Sequence, residues 1–149
     1  MKDVTSLYYA IKEKSDAISA ILLQEIRDMI GAEYQELTQR QAMLLSLLKQ
    51  QNMTVNEIAE FFSITASAAS QLIKKLEEKD YVRRDINQSD RREIIVRLGD
   101  TGKAYNDKID EVEIYLMEKY YGQLSREDLE KLKEITDKLY DVMLQEQRL

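Results

Sequence analysis

Apolar residues recur at helical spacing along most of the chain, and the most informative stretch lies near its middle. Residues 65–79 carry apolar side chains at positions i, i+3, i+4 and i+7, namely Ala69, Leu72, Ile73 and Leu76. This spacing predicts a helix with one buried stripe. Thr65 stands just before the stripe, where its hydroxyl can cap the start of the helix.

The preceding segment predicts a second, shorter helix. Thr54 and Glu57 have the spacing of a capping box, in which each side chain satisfies a free backbone N–H near the helix start. The apolar positions that follow are Val55, Ile58, Ala59 and Phe62. Only Ser63 and Ile64 separate this helix from the cap at Thr65. Two short helices joined by so tight a turn predict a helix-turn-helix.

A pair of strands is expected next. Ile94, Val96 and Leu98 alternate as on a half-buried strand, and residues 81–85 read as its antiparallel partner. The loop between the strands carries Arg91 and Arg92 near its far end. The sequence therefore predicts a winged helix-turn-helix with a two-stranded β wing.

Long amphipathic helices are expected on either side of this module. One runs from Val4 to about Tyr34, and another, opened by a capping box at Thr38, runs to Lys49. Beyond the wing, residues 102–121 form a helix that Asp100 or Thr101 caps, and a last helix follows Ser125. A small winged core cannot bury the apolar stripes of all these helices, so a second chain is the natural partner.

Composition supports a mainly α protein and excludes several kinds of chemistry. The chain has 149 residues, no Pro, no Cys and no His, and 34% of its residues are charged. Disulfides, thiolate metal sites, and the commonest general base and metal ligand are therefore absent. We expect no enzyme activity, no cofactor and no metal. No apolar run is long enough to span a bilayer, and charges interrupt any signal-peptide core, so a cytoplasmic protein is expected.

Charge is distributed unevenly in a way that suits a nucleic-acid partner. The net charge is −6, but residues 65–97 carry 8 basic and 6 acidic groups, whereas the segments on either side are net negative. Binding to DNA follows the local field and phosphate contacts rather than the total charge. The excess of two positive charges is weak evidence alone, but it falls on the helix and wing proposed above.

The outward face of the helix at residues 65–79 has side chains that suit base edges. Gln bonds adenine, Ser donates or accepts, and Lys reaches guanine or phosphate. The candidate base-contacting residues are Ser67, Ser70, Gln71 and Lys74. The candidate phosphate-contacting residues are Thr65, Lys75, Arg83 and Arg84. For an isolated helix, the simpler explanation of such a face is exposure to solvent, and the adjoining basic wing is what favours DNA.

The segment from residue 57 to residue 98 resembles the DNA-binding core of the MarR family of transcriptional regulators. The matching motifs are EIA at residues 57–59, ITASAAS at 64–70, LEEK at 76–79, and the Asp90 and Arg92 pair of the wing. The resemblance implies that Arg92 enters the minor groove, that Asp90 orients it, and that Arg91 is a variable position between them. This chain departs from the family pattern at Asp80, where Gly is usual, at Ile86, where Pro is common, and at Gly99, where Thr is usual.

The resemblance also implies an organisation for the whole chain. Residues 1–149 form a single MarR-like domain, in which 1–36 and 101–149 are the helical dimerisation region and 37–100 are the winged lobe. We therefore expect a homodimeric, sequence-specific regulator that binds double-stranded DNA, with repression of a palindromic operator as the expected mode. The alternative is a winged-helix protein-interaction or architectural module without base-specific readout.

A small ligand is a separate question. Many MarR-like proteins bind small aromatic molecules that release them from DNA, and this chain has nine tyrosines that could line such a pocket. Ordinary core and interface packing explains the tyrosines more simply. The sequence specifies neither a ligand residue, nor the operator, the regulated genes or the sign of regulation.

Overall fold

The computed structural model describes residues 2–147, which form six α-helices and a small antiparallel sheet. The helices are α1 (Lys2–Met29), α2 (Gln39–Gln50), α3 (Val55–Phe61), α4 (Ala66–Glu77), α5 (Asp100–Tyr120) and α6 (Arg126–Gln147). The strands are β1 (Met53–Thr54), β2 (Val82–Ile86) and β3 (Ile94–Leu98), and short 3₁₀ turns cover Ala32–Tyr34 and Tyr121–Gln123. The expected fold class, a mainly α winged helix-turn-helix, is confirmed.

The chain divides into two compact units, Met1–Val112 and Glu113–Leu149. The first contains α1 to α4, the sheet and the first half of α5, and the second contains the rest of α5 and α6. The division into a winged lobe at 37–100 and a dimerisation region at 1–36 and 101–149 remains a prediction.

The first unit has its core between the helix-turn-helix and the sheet. Several of its residues have none of their surface exposed, for example Leu44 on α2, Ile58 on α3, Ile73 on α4 and Val96 on β3. Asn106 on α5 is also buried, and its Nδ2 donates to the Leu45 carbonyl at 3.0 Å. The apolar periodicity of α2, α3 and α4 thus converges on one cluster that α5 closes.

Local capping signals set the starts of the short helices. Thr38 and Gln41 cap each other's backbone at α2, and Thr54 and Glu57 do the same at α3. Thr65 accepts the Ala68 N–H at 3.0 Å at the start of α4. All three caps lie where the sequence predicts them.

The structure corrects two boundaries predicted from the sequence and adds one strand. The first helix was expected to reach about Tyr34 but ends at Met29, because Gly31 adopts a φ of 98°, which right-handed helices do not allow. The cap expected at Asp100 or Thr101 is wrong, since α5 already begins at Asp100. The wing hairpin is present, with Arg84 opposite Val96, but β1 adds a third strand through Met53 opposite Val96.

Candidate nucleic-acid interface

Helix α4 presents an uncovered polar face beside the wing. Ala69, Ile73 and Leu76 turn into the core, which leaves Ser67, Gln71 and Lys74 exposed on the other side. The side chains of Ser67, Gln71 and Lys74 make no hydrogen bond or ion pair with the rest of the described chain. Three predicted base-contacting residues therefore share one face, available to an external partner.

The fourth predicted base-contacting residue, Ser70, lies on the flank of α4 that faces the wing. Its Oγ accepts from Nη1 of Arg84 at 3.3 Å, and its carbonyl accepts from Nη2 at 3.4 Å. The Nε of Arg84 lies 3.5 Å from a carboxylate oxygen of Glu77 and has no hydrogen-bond partner, although it is buried. Arg84 thus joins β2 to α4 through long contacts, and its predicted role at a phosphate stays a prediction.

Two other candidates for phosphate contact lie in more open surroundings. Lys75 is exposed on α4 and forms no ion pair with the described residues. Thr65 is also exposed, and its Oγ accepts a backbone hydrogen bond while its own proton stays free to donate. Both can reach an external anion without first giving up an internal partner.

Arg83 has a very different environment. Its Nε donates to Oδ1 of Asp80 at 2.8 Å, its Nη2 donates to Oδ2 of Asp80 at 2.9 Å, and the same Nη2 lies 3.1 Å from a carboxylate oxygen of Asp100. These hydrogen bonds raise the pKa of Arg83 and hold the pKa of Asp80 below its ordinary value. A phosphate at Arg83 would have to compete with two carboxylates.

The tip of the wing, residues 87–93, is closed by its own hydrogen bonds. The Asn87 N–H donates to the Glu93 carbonyl at 3.0 Å, and the Glu93 N–H donates to the Asp90 carbonyl at 3.0 Å. The Asp90 carboxylate accepts the backbone N–H of Arg92, also at 3.0 Å. Asp90 therefore fixes the backbone that carries Arg92.

The two tip arginines project from this closed loop. Arg91 and Arg92 are exposed, and their side chains form no ion pair within the described part of the chain. Arg92 also borders a cavity of about 130 Å³ that Ser70 of α4 and Asn56 of α3 line as well. Arg92 and the wing-facing flank of α4 thus line the same cavity.

Sequence reasoning missed the residues that hold the basic side chains. Glu77 beside Arg84, and Asp80 and Asp100 beside Arg83, were not among the candidates. The available signal was the Asp80–Arg83 spacing directly after a helix, which places a carboxylate near a guanidinium across a turn. The Arg84–Ser70 contact spans 14 residues and had no local signal.

Residues 2–147 contain neither a metal-binding cluster nor a membrane-spanning helix. No group of three or more Asp and Glu side chains there converges in a way that could hold a metal ion. None of the described helices combines the length and apolarity needed to cross a membrane.

Comparison with known proteins gives consistent results. Residues 37–94 match the family model described as MarR family. The HTH-type transcriptional repressor MdtR of Bacillus subtilis is 32% identical over 97 residues, which are 65% of this chain and 63% of the repressor. The aligned region therefore covers under two thirds of that relative.

Solved structures extend the likeness over more of the chain. The crystal structure of YusO from Bacillus subtilis is 28% identical, with a TM-score of 0.69, and the match covers 91% of this chain and 96% of that one. FabT of Streptococcus pneumoniae, solved in complex with DNA, is 18% identical with a TM-score of 0.77, over 93% of this chain and 98% of FabT. The FabT match concerns the fold alone.

Proposed function

Residues 37–94 match the MarR family model, and from that premise we propose that this chain is a MarR-family, sequence-specific, DNA-binding transcriptional regulator rather than an enzyme. The observation that carries the proposal is the uncovered face of α4, with Ser67, Gln71 and Lys74, beside a wing whose two tip arginines have no ion-pair partner among the described residues. Side chains without internal partners can pair with DNA at no cost in lost internal contacts.

In this proposal α4 reads the major groove and the wing reads the minor groove. Gln71 and Ser67 meet base edges, Lys74 meets guanine or phosphate, and Ser70 contributes its hydroxyl from the wing side. Thr65, Lys75 and Arg84 contact phosphates, which position the protein without specifying sequence. Arg92 enters a narrow minor groove, where the negative potential of A·T tracts favours Arg, and Arg91 adds charge beside it.

The second part of the proposal is a homodimer. Helix α1 leaves Val4 70% exposed and Ile11 65% exposed, and α6 leaves Ile135 64% exposed and Leu139 57% exposed. Exposed apolar stripes of this length mark protein–protein interfaces. A second copy supplies a surface of the same kind, and a two-fold dimer places two α4 helices on half-sites about one helical turn apart.

Repression follows most simply from such a dimer, since a protein that occupies a palindromic operator blocks access to it. DNA binding also implies action in the compartment that holds DNA, which agrees with the expected cytoplasmic location.

Release by a small aromatic ligand stays a prediction. The ring of Tyr34 packs edge to face on the rings of Tyr105 and Tyr81, with 5.3 Å and 6.5 Å between the ring centroids. This is the geometry of ordinary core packing.

The test is selection of bound duplexes from a random library at near-physiological salt, followed by affinity measurements on the selected site. We expect a two-fold-symmetric motif. Uniform, salt-sensitive binding without a motif would instead favour an architectural module, and the absence of duplex binding would favour a protein-interaction module.

Gln71→Ala tests the assignment of the recognition face. We expect a loss of about 1–3 kcal/mol at one base position, with relaxed specificity at that position, because one bidentate contact is removed. Gln145→Ala, the same chemical change on α6, is the matched control and should bind as the unaltered protein does. Unchanged discrimination by Gln71→Ala between the selected site and scrambled DNA would show that Gln71 does not read a base.

A further inference from the structure

Helix α4 ends in a turn that normally requires glycine. The Tyr81 N–H donates to the Leu76 carbonyl at 2.9 Å, and the Asp80 N–H donates to the Glu77 carbonyl at 3.0 Å. This pair of bonds is a Schellman motif, whose central residue takes a left-handed conformation. That residue is Asp80, with a φ of 57°. Aspartate tolerates this backbone less well than glycine, but its side chain makes contacts that glycine could not.

The contribution of Asp80 is a carboxylate that joins three segments of the chain. Its two oxygens accept the paired N–H groups of Arg83 on β2, and Oδ2 also accepts the backbone N–H of Asp100 at 3.2 Å. The Asp100 carboxylate reaches the same guanidinium from the first turn of α5. The end of α4, the start of β2 and the start of α5 therefore meet at a single guanidinium.

Gly99 makes this convergence sterically feasible. A Cβ at Gly99 would lie 2.2 Å from the carbonyl oxygen of Asp80 and 2.7 Å from its Oδ1, closer than any real Cβ contact. The Gly99 N–H donates to the Tyr81 carbonyl at 2.9 Å, which holds β3 against the turn. Asp80 and Gly99 are thus compatible with each other, and a larger residue at 99 would push the two segments apart.

The electrostatic balance at this point does not suit a phosphate contact. Arg83 carries one positive charge, and the two carboxylates that hold it carry two negative charges. The cluster as a whole is therefore net negative, and a bidentate pair to a carboxylate is among the stronger hydrogen-bonded contacts in proteins. A DNA phosphate would have to displace one of these partners and approach the other.

We propose that Asp80, Arg83 and Asp100 form a clamp that positions α4 and the wing relative to the first turn of α5, and that Arg83 serves DNA binding through this clamp and not by touching a phosphate. The inference rests on the proposed function and assigns Arg83 a different role from the one that its sequence context suggests. Arg83 is then a positioning residue whose partners are internal.

A clamp and a phosphate contact at Arg83 predict opposite effects of Asp80→Asn on the affinity for DNA. Asp80→Asn removes a negative charge, which by itself should strengthen attraction to the DNA polyanion. If the clamp positions α4, however, Asp80→Asn frees Arg83 and should weaken binding to the selected operator about tenfold, or about 1.4 kcal/mol. Asp80→Gly keeps the left-handed turn and deletes the carboxylate, so the same loss in that variant would exclude a backbone effect.

The experiment measures the affinity of each protein for the operator and for scrambled duplex as a function of salt concentration. The proteins are the unaltered chain, Asp80→Asn, Asp80→Gly, Arg83→Ala and the Asp80→Asn/Arg83→Ala double variant. A clamp predicts that each single variant loses operator affinity, that Asp80→Asn and Asp80→Gly bind scrambled DNA at least as tightly as the unaltered protein does, and that the double variant is no worse than either single one. Asp85→Asn removes the same charge from another exposed ion pair of the wing, with Arg97, and is the matched control.

The opposing results are equally specific. A phosphate contact at Arg83 predicts that Arg83→Ala weakens operator and scrambled DNA alike, that the salt slope falls by about 0.9, and that Asp80→Asn binds more tightly. That outcome overturns the clamp, as does wild-type operator affinity in all the variants. If the unaltered protein bound no duplex, the proposed function itself would fail, a result readily told apart from a failure of the variants.

Discussion

Ile73 on α4 and Ile135 on α6 are the same residue type on the apolar stripes of two amphipathic helices, but none of the surface of Ile73 is exposed whereas 64% of that of Ile135 is. The difference extends to their neighbours. Around Ile73, the stripes of α2, α3 and α4 converge with Val82 and Val96 of the sheet. On α6, no residue is buried.

The contrast shows that periodicity identifies an apolar face but not what covers it. In the winged lobe, short helices close around a sheet from the same chain, and core residues such as Ile73 and Val96 are fully buried within one copy. Helix α6 carries its apolar side chains from Leu129 to Leu144, over about four turns of helix, and the dimer proposed above would bury them in a second copy. The lobe should therefore depend on its own core, and α6 on the concentration of the protein.

The largest expected effect comes from placing a charge in the stripe of α6. Ile135→Asp should convert the dimer into monomers at micromolar concentration, because a carboxylate in an apolar interface has no partner. Sedimentation velocity measures the change directly. Lys133→Gln shifts the net charge by the same one unit on the charged side of α6 and should remain dimeric. A dimeric Ile135→Asp protein would exclude this face from the interface.

A matched pair of truncations gives the next largest effect. Ile73→Ala should lower the free energy of unfolding by about 2–5 kcal/mol at every protein concentration, because it leaves a cavity in a closed core. Ile135→Ala should have a smaller effect, confined to the concentration-dependent part of the stability. Denaturant unfolding at several protein concentrations separates the two. Equal, concentration-independent losses would mean that both residues are buried within one chain.

The smallest effect tests whether the two regions also differ in local interactions. Thr54 accepts the Glu57 N–H at the start of α3, and Ser125 accepts the Asp128 N–H at the start of α6, each at 3.1 Å. Thr54→Ala and Ser125→Ala should each cost about 1 kcal/mol of unfolding free energy, since capping depends on neighbours in sequence. Denaturant unfolding compares the two losses, and a large inequality would show that one cap also has a tertiary role.

These locally determined features are the ones that the sequence predicts well. The helix caps at Thr38, Thr54 and Thr65 could be predicted from the sequence, because each depends on a hydroxyl and a backbone N–H only three residues apart. The face of α4 follows from its helical period. The hairpin partner of β3 was expected at residues 81–85 and is found at Val82–Ile86, since alternation and a polar loop mark both strands.

Features that depend on distant segments could not be predicted. Strand β1 has only two residues, too few to show alternation, and exists because Met53 meets Val96 far along the chain. The partners of Arg83 and Arg84 follow from the turn at Asp80 and from the packing of β2 on α4. A basic residue in a sequence gives a charge, and only the fold shows whether another residue of the same chain already binds it.

The closed tip of the wing has a consequence for the kinetics of binding. Fixing the backbone of one flexible residue costs roughly 1–2 kcal/mol of conformational entropy. Because hydrogen bonds within residues 87–93 already hold the tip, that entropy is lost during folding and not on encounter with a duplex. In the DNA-binding mode proposed above, Arg92 would arrive on a loop whose shape these hydrogen bonds already hold, so productive docking would depend more on orienting the protein than on a search among loop conformations.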